Sequence, residues 1–278
     1  MRAAMNAPPS PAPAGRVTPR DGPHPHVKRV LLHHPGKHNA ISVAMWQALR
    51  QVFEQLQALP AEGAPRAVIV SGEGGHFAAG ADIAEFPRFR FEPETLRHYH
   101  EEVIAPALAA LWQCDIPLVA QIDGSCVGGG LEIAACCDLR IAAHAARFGA
   151  PIGRLGFPMA PGELQLLQRV LPAPVLRELL LEGQLLDAQA ALQRGLVHRV
   201  VTPAALAAEA EAAATRIAAL SPQAARLNKQ TLRQLAEGGP TAQQRHDHFL
   251  YAPHPEHREG VAAFLEGRPP VFSGAERP

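Results

Sequence analysis

The chain has 278 residues, with 26 Lys and Arg against 26 Asp and Glu for a formal net charge of +0, and 47% of its residues are hydrophobic. That length suits one large domain or two small ones, and the balanced charge gives no electrostatic footprint for nucleic acid or an anionic membrane. No apolar run reaches the roughly 18–20 residues of a membrane span. Four cysteines without a CxxC pair and fourteen histidines without HExxH spacing argue against a disulfide framework or a metal centre. Cys114, Cys126, Cys136 and Cys137 read instead as buried free thiols of a protein in a reducing cytoplasm.

Residues 1–25 read as a disordered leader, rich in Pro, Ala and Arg, without hydrophobic periodicity or the apolar centre of a signal peptide. Val27–Leu32 has the pattern of a strand, closed by His33-His34-Pro35-Gly36. Ser42 is placed to cap a helix reaching about Leu59, with Met45, Leu49, Val52, Phe53 and Leu56 on one face. A short buried strand, Ala67–Val70, runs into the turn Ser71-Gly72-Glu73-Gly74-Gly75. A helix over Leu96–Trp112, a strand over Pro117–Ile122, a helix over Leu131–Cys137 and a strand over Leu139–Ala142 follow. This alternation predicts an α/β architecture with crossover connections. Beyond about Gly162 the pattern turns helical, segment after segment, as far as His257–Gly267. The expected division is a leader (1–25), a core carrying the site (26–200) and a C-terminal helical region (201–278).

Two small-residue motifs carry the chemistry. Gly128-Gly129-Gly130-Leu131-Glu132 follows the Pro117–Ile122 strand and opens a helix. Glycines there bare backbone N–H groups, and a carboxylate follows within one turn, an arrangement suited to holding an oxyanion while a proton moves. About fifty residues earlier, Phe77-Ala78-Ala79-Gly80-Ala81-Asp82-Ile83 lets the backbone approach a ligand closely. Read by itself, it is an ordinary strand-to-helix turn with Asp82 as the cap.

Together these motifs resemble the enoyl-CoA hydratase/isomerase (crotonase) family. Four further segments match: Pro35-Gly36-Lys37-His38-Asn39-Ala40-Ile41-Ser42, Cys137-Asp138-Leu139-Arg140-Ile141-Ala142, the stretch Leu185–Val197, and Glu259-Gly260-Val261-Ala262-Ala263-Phe264. The resemblance runs from about Val27 to Phe272. It implies a crotonase-like fold, a spiral of ββα units with sheets stacked roughly at right angles. It also implies C-terminal helices that assemble trimers, often stacked as hexamers. The substrate it implies is an acyl-CoA thioester, with coenzyme A entering as part of the substrate and no tightly bound cofactor. Carried over by position, the backbone amides of Ala81 and Gly129 would clamp the thioester carbonyl and Glu132 would act as acid/base. Lys37, Asn39, Ala40, Ala79, Gly80, Asp82, Ile83 and Gly128 would border bound coenzyme A. Lys37 reads equally as a solvated lysine or a phosphate contact, and Lys229 is a weaker candidate of the same kind.

One departure limits this expectation. Hydratases of the family use a second glutamate twenty residues after the first, on water or on Cα. Here Pro151 is kept and Ile152 stands where that carboxylate belongs. Isoleucine neither accepts a proton nor holds a water. Glu163, eleven residues on, reads either as a helix N-terminal acid or as a displaced catalytic acid. Arg154 would pair with Glu132 or face solvent. A protease reading would need a base for Ser125, and none is evident. The expected activity is hydration of a trans-2-enoyl-CoA. Isomerase, hydrolase or decarboxylase chemistry on the same fold, or acyl-CoA binding without turnover, are the alternatives.

Overall fold

The computed structural model describes residues 14–60 and 63–272. Its strands are β1 (Arg16–Asp21), β2 (Val27–His33), β3 (Ala67–Gly72), β4 (Leu118–Ile122), β5 (Ser125–Val127), β6 (Leu139–Ala143), β7 (Arg147–Gly149), β8 (Leu186–Asp187) and β9 (Arg199–Val201). The helices up to the strand β9 are α1 (Val43–Ala58), α2 (Pro93–His98), α3 (Ala105–Gln113), α4 (Gly129–Ala135), α5 (Pro161–Gln168), α6 (Ala173–Arg177) and α7 (Ala188–Gln193). Then come α8 (Pro203–Ala218), α9 (Pro222–Ala236), α10 (Ala242–Asp247) and α11 (Pro255–Glu266). A large sheet has the order β1-β2-β3-β4-β6-β9, and a small one has β5-β7-β8. Only β1 is antiparallel in the large sheet; β2, β3, β4, β6 and β9 pair in parallel, for example Val30↔Val70 and Ile69↔Val119.

The parallel strands carry apolar residues toward both faces, Lys28, Arg29, Arg140 and Arg199 aside, because helices lie on both. Val30, Leu32, Val68, Val70, Leu118 and Ala120 join the main core with Trp46, Leu49 and Phe53 of α1 and Leu108 and Leu111 of α3. The alternate positions Val27, Ala67, Ile69, Val119 and Ile141 face the other way, onto Leu206, Ala210, Ala213, Ala214 and Ala218 of α8. That alanine stripe lets α8 lie close on the sheet. Thus α8, inside the region expected to be separate, packs on the large sheet.

Residues 1–13 of the expected leader lie outside the described residues, but its later part is structured. Arg16–Asp21 is an edge strand on β2, with Val17↔Leu32 and Pro19↔Val30 in register. Val17 is its one aliphatic residue, so no periodicity announced it, and an edge position tolerates Pro19 without an N–H. The helix expected over Leu96–Trp112 begins at Pro93 and contains a π-helical stretch, Tyr99–Ile104, between α2 and α3. Ser42 caps α1 by accepting from Met45 N–H, and Ser221 caps α9 by accepting from Ala224 N–H. Strands of two or three residues, such as β5, β7 and β8, are too short to show as patterns. Among the described residues no helix is long and apolar enough to cross a membrane.

Candidate active site

The two small-residue motifs are brought together by backbone pairing. Phe77 N–H donates to Asp123 O at 2.8 Å, Ala78 N–H to Ser125 O at 2.9 Å, and Val127 N–H to Ala78 O at 3.0 Å. On the other side Ile41 N–H donates to Gly80 O at 2.7 Å and Asp82 N–H to Ile41 O at 2.9 Å. The segment 77–82 is thereby held between the start of α1 and β5. Gly128 then breaks out of β5 at φ +51°, ψ −120°, a conformation open to glycine, and starts α4. A Cβ on Gly130 would stand 2.4 Å from Ala78 O, so the second motif packs directly on the first. Among the described residues the N–H groups of Ala81 and Gly129 find no acceptor, and both line the same cavity of about 290 Å³.

Glu132, on the first turn of α4, is buried against this cavity at 4% exposure. Among the described residues its carboxyl has no hydrogen-bond or ion-pair partner. Burial, and secondarily the charge of Glu163, push its pKa well above the ordinary 4.5. Glu163 enters the cavity from the first turn of α5 at 7% exposure. Its Oε1 lies 2.5 Å from His100 Nδ1, and His100 Nε2 lies 3.3 Å from Arg90 Nη1. The Arg90 guanidinium sits 3.5 Å over the ring of Phe157 and 4.5 Å over that of Phe86. Burial pulls the Arg90 pKa down and pushes the Tyr99 hydroxyl up.

The residues expected from sequence separate into three groups. Ala79, Gly80, Ala81, Ile83, Gly128, Gly129, Glu132 and Glu163 all line the cavity, and so does Ile152. Lys37 and Asp82 pair with each other at 2.6 Å, and Asp82 also caps the short helix after it by accepting from Ala84 N–H. Asn39 and Ala40 are buried behind the wall. The Asn39 amide accepts from His34 N–H and donates to Glu73 O and His76 O, so its polar atoms are spent on folding the loop.

Two readings are corrected, those of Lys229 and Ser125, and the two alternatives for Arg154 are separated. Lys229 is buried, ion-paired to Asp138 at 2.7 Å and donating to Ile116 O at 2.9 Å, which ties α9 to the sheet and withdraws it from coenzyme A. Of the two readings of Arg154 the solvent-facing one holds: it borders the cavity, is exposed, and donates to Gly183 O at 3.0 Å. Ser125 does have a partner, His76 Nδ1 at 3.2 Å, although neither lines the cavity. Of the phenylalanines near the site, Phe86 and Phe157 line the cavity. Phe89 stacks on Tyr99 at 4.3 Å, and Phe91 is 78% exposed.

Sequence reasoning missed Arg90, Tyr99 and His100. Tyr99 and His100 sit where the helix widens into its π-helical stretch, a local feature common at functional sites and invisible to a 3.6-residue pattern. The resulting arrangement puts two backbone N–H groups without acceptors and two buried carboxyl groups in unlike surroundings on one cavity. It can hold an oxyanion and exchange protons on either side of it. Among the described residues no His, Cys, Asp and Glu cluster is suited to a metal ion.

Comparison with known proteins agrees with the sequence resemblance. The profile of the family described as "Enoyl-CoA hydratase/isomerase" matches residues 24–275. A probable enoyl-CoA hydratase of Mycobacterium leprae is 33% identical over 248 residues, covering 88% of this chain and 93% of that protein. The 2,3-dehydroadipyl-CoA hydratase of Escherichia coli is 33% identical over 254 residues, covering 89% and 96%. Among solved structures, an enoyl-CoA hydratase/carnithine racemase from Magnetospirillum magneticum superposes with a TM-score of 0.87 at 37% identity, covering 93% of this chain and 96% of that one.

Proposed function

The chain belongs to the enoyl-CoA hydratase/isomerase family, and from that premise we propose that it adds water reversibly across the double bond of a trans-2-enoyl-CoA thioester. The observation that carries this reading is the meeting of two unpaired backbone amides, Ala81 and Gly129, with two buried carboxyl groups, Glu132 and Glu163, in one cavity. Water adding to Cβ pushes negative charge onto the thioester oxygen. The two amides stabilise that enolate; removing one such donor costs on the order of 10²–10³ in rate in other enzymes. One carboxyl group takes a proton from the water and the other supplies one to Cα. Glu163, reaching the cavity from α5, stands in for the carboxylate that Ile152 does not provide.

The thioester end lies at Ala81 and Gly129, and the coenzyme runs out past Ala79, Gly80 and Ile83, with the Lys37–Asp82 pair at its border. Leu232, Leu235, Phe249, Phe264 and Leu265 on and between α9 and α11 are exposed in the single chain. They support assembly into a trimer, alone or stacked as a hexamer. Four buried free cysteines suit a reducing cytoplasm. A second reading, movement of the double bond from a 3-enoyl-CoA, is favoured by one observation: Ile152 lines the cavity at the second carboxylate's usual position.

Product analysis decides between these readings. Purified protein is incubated with trans-2-enoyl-CoA and 3-enoyl-CoA thioesters of increasing chain length. The expected product is a 3-hydroxyacyl-CoA, lost in Glu132→Gln. A 2-enoyl product from the 3-enoyl substrate, without hydration, would establish the isomerase. Tight binding without any turnover would make the protein an acyl-CoA binder.

A further inference from the structure

We propose that Arg90 and His100 fix the division of labour in the cavity: through a directed chain of donors they hold Glu163 as the carboxylate that takes the proton from water, leaving Glu132 as the group that delivers one to Cα. This rests on the reading of Glu163 as the second carboxyl group of a hydratase.

The direction of the chain follows from the chemistry of its members. A guanidinium has donors and no acceptor. With Arg90 Nη1 at 3.3 Å, His100 Nε2 must therefore be the accepting nitrogen. A neutral imidazole with an accepting Nε2 carries its proton on Nδ1. That proton points at Glu163 Oε1, 2.5 Å away, which accepts as a carboxylate. An imidazolium would turn a second N–H toward the guanidinium, and the other tautomer would leave two lone pairs facing each other at Glu163. Arg90 is itself held over Phe86 and Phe157, so the chain has a fixed end. Glu132 has the opposite surroundings: it is buried, with no donor among the described residues, and it faces the charge of Glu163. Burial and that charge both favour its protonated form.

The other charged and titratable groups around Glu163 do not disturb this order. Tyr99 lies beside His100 on the π-helical stretch, and burial keeps its hydroxyl protonated. Arg97 and Glu101, across the outer cavity that Glu163 also borders, are paired with each other at 3.0 Å. Arg154 is engaged by Gly183 O. The step balances: the water oxygen bonds to Cβ, its proton passes to Glu163, the Cα–Cβ π pair moves to the enolate, and the Glu132 proton is taken up at Cα. A proton then returns from Glu163 to Glu132, and the net change is addition of one water. In this scheme Arg90 and His100 are positioning residues.

The test uses the full chain and the four-carbon trans-2-enoyl-CoA, with kcat and KM of His100→Leu, His100→Asn, Arg90→Met and Glu163→Gln compared. His100→Leu is expected to lower kcat by about 10–100-fold with KM within about twofold, a fraction of what a general base contributes. His100→Asn, whose amide can donate to Glu163, is expected to recover most of the rate. An unchanged kcat in His100→Leu, or no recovery in the folded Asn variant, would overturn the inference. Should the Leu variant fail to fold, Arg90→Met decides in the same way: it frees Nε2, and unchanged turnover would overturn the scheme. If Glu163→Gln alone keeps full activity, the underlying reading of Glu163 fails, and the inference fails with it for that separate reason.

Discussion

Replacing Glu132 by glutamine should abolish turnover and, at neutral and alkaline pH, make the protein more stable. Glu132 is buried and raised well above the ordinary 4.5, by burial first and by Glu163 second. As pH rises past 4.5 the unfolded chain releases this proton while the folded chain retains it. The folded state then binds more protons, so its stability falls with rising pH until Glu132 ionises in place. Each pH unit in that window is worth about 1.4 kcal/mol. For a domain of this size about 1 kcal/mol corresponds to roughly 2–4 °C in Tm, so the difference opens by about 3–6 °C per unit. Glutamine fills the same volume and has no proton to lose. The assay is thermal unfolding of both proteins from pH 5 to pH 9, in which the variant's advantage should grow from the acidic end upward. A Tm difference that is flat across pH, or that closes as pH rises, would refute the assignment of Glu132 as a buried, protonated group.

Other expectations follow from single contacts. Gly128→Ala forces a side chain onto a backbone at φ +51°. It should cost about 1–3 kcal/mol of stability and, by moving the Gly129 amide, lower kcat by about 100-fold; steady-state kinetics with a melting curve checks both. Lys229→Met leaves Asp138, about a third exposed, without its cation and Ile116 O without its donor. It should destabilise by about 1–3 kcal/mol with KM for the acyl-CoA unchanged, and a raised KM in a protein of normal stability would return Lys229 to the coenzyme site. Phe264→Asp charges a side chain that is 85% exposed in the single chain. Sedimentation should show it driving a trimer toward monomer, and an unchanged mass would move the assembly surface away from α11.

Much of this fold is legible in the sequence, for physical reasons. The strands β2, β3, β4 and β6 are largely apolar runs because both sheet faces are covered, and α1 announces itself through Ser42 and one apolar face. The small-residue motifs are visible because their close approach tolerates few alternatives, as the clash of a Gly130 side chain with Ala78 O illustrates. The edge strand β1 is hidden, since backbone pairing at an edge asks little of side chains. The role of α8 is hidden too: an alanine-rich helix has no strong apolar face, yet small size is what lets it close the sheet. At the site, Glu132 and Gly129 belong to one short motif and Ala81 to another about fifty residues earlier, and the donor roles expected of the two amides come from the family resemblance. The His100–Glu163 contact joins residues 63 positions apart, through a π-helical stretch that no periodicity foretells.

The most direct test of the two-carboxylate account is a double-mutant comparison of kcat for hydration in the wild type, Glu132→Gln, Glu163→Gln and the double variant. Groups that act as a unit in one step give grossly non-additive losses. The account predicts that either single change removes nearly all turnover and that the double change removes little more. Glu163→Gln retaining kcat within about twofold, or two partial losses that multiply in the double variant, would contradict it.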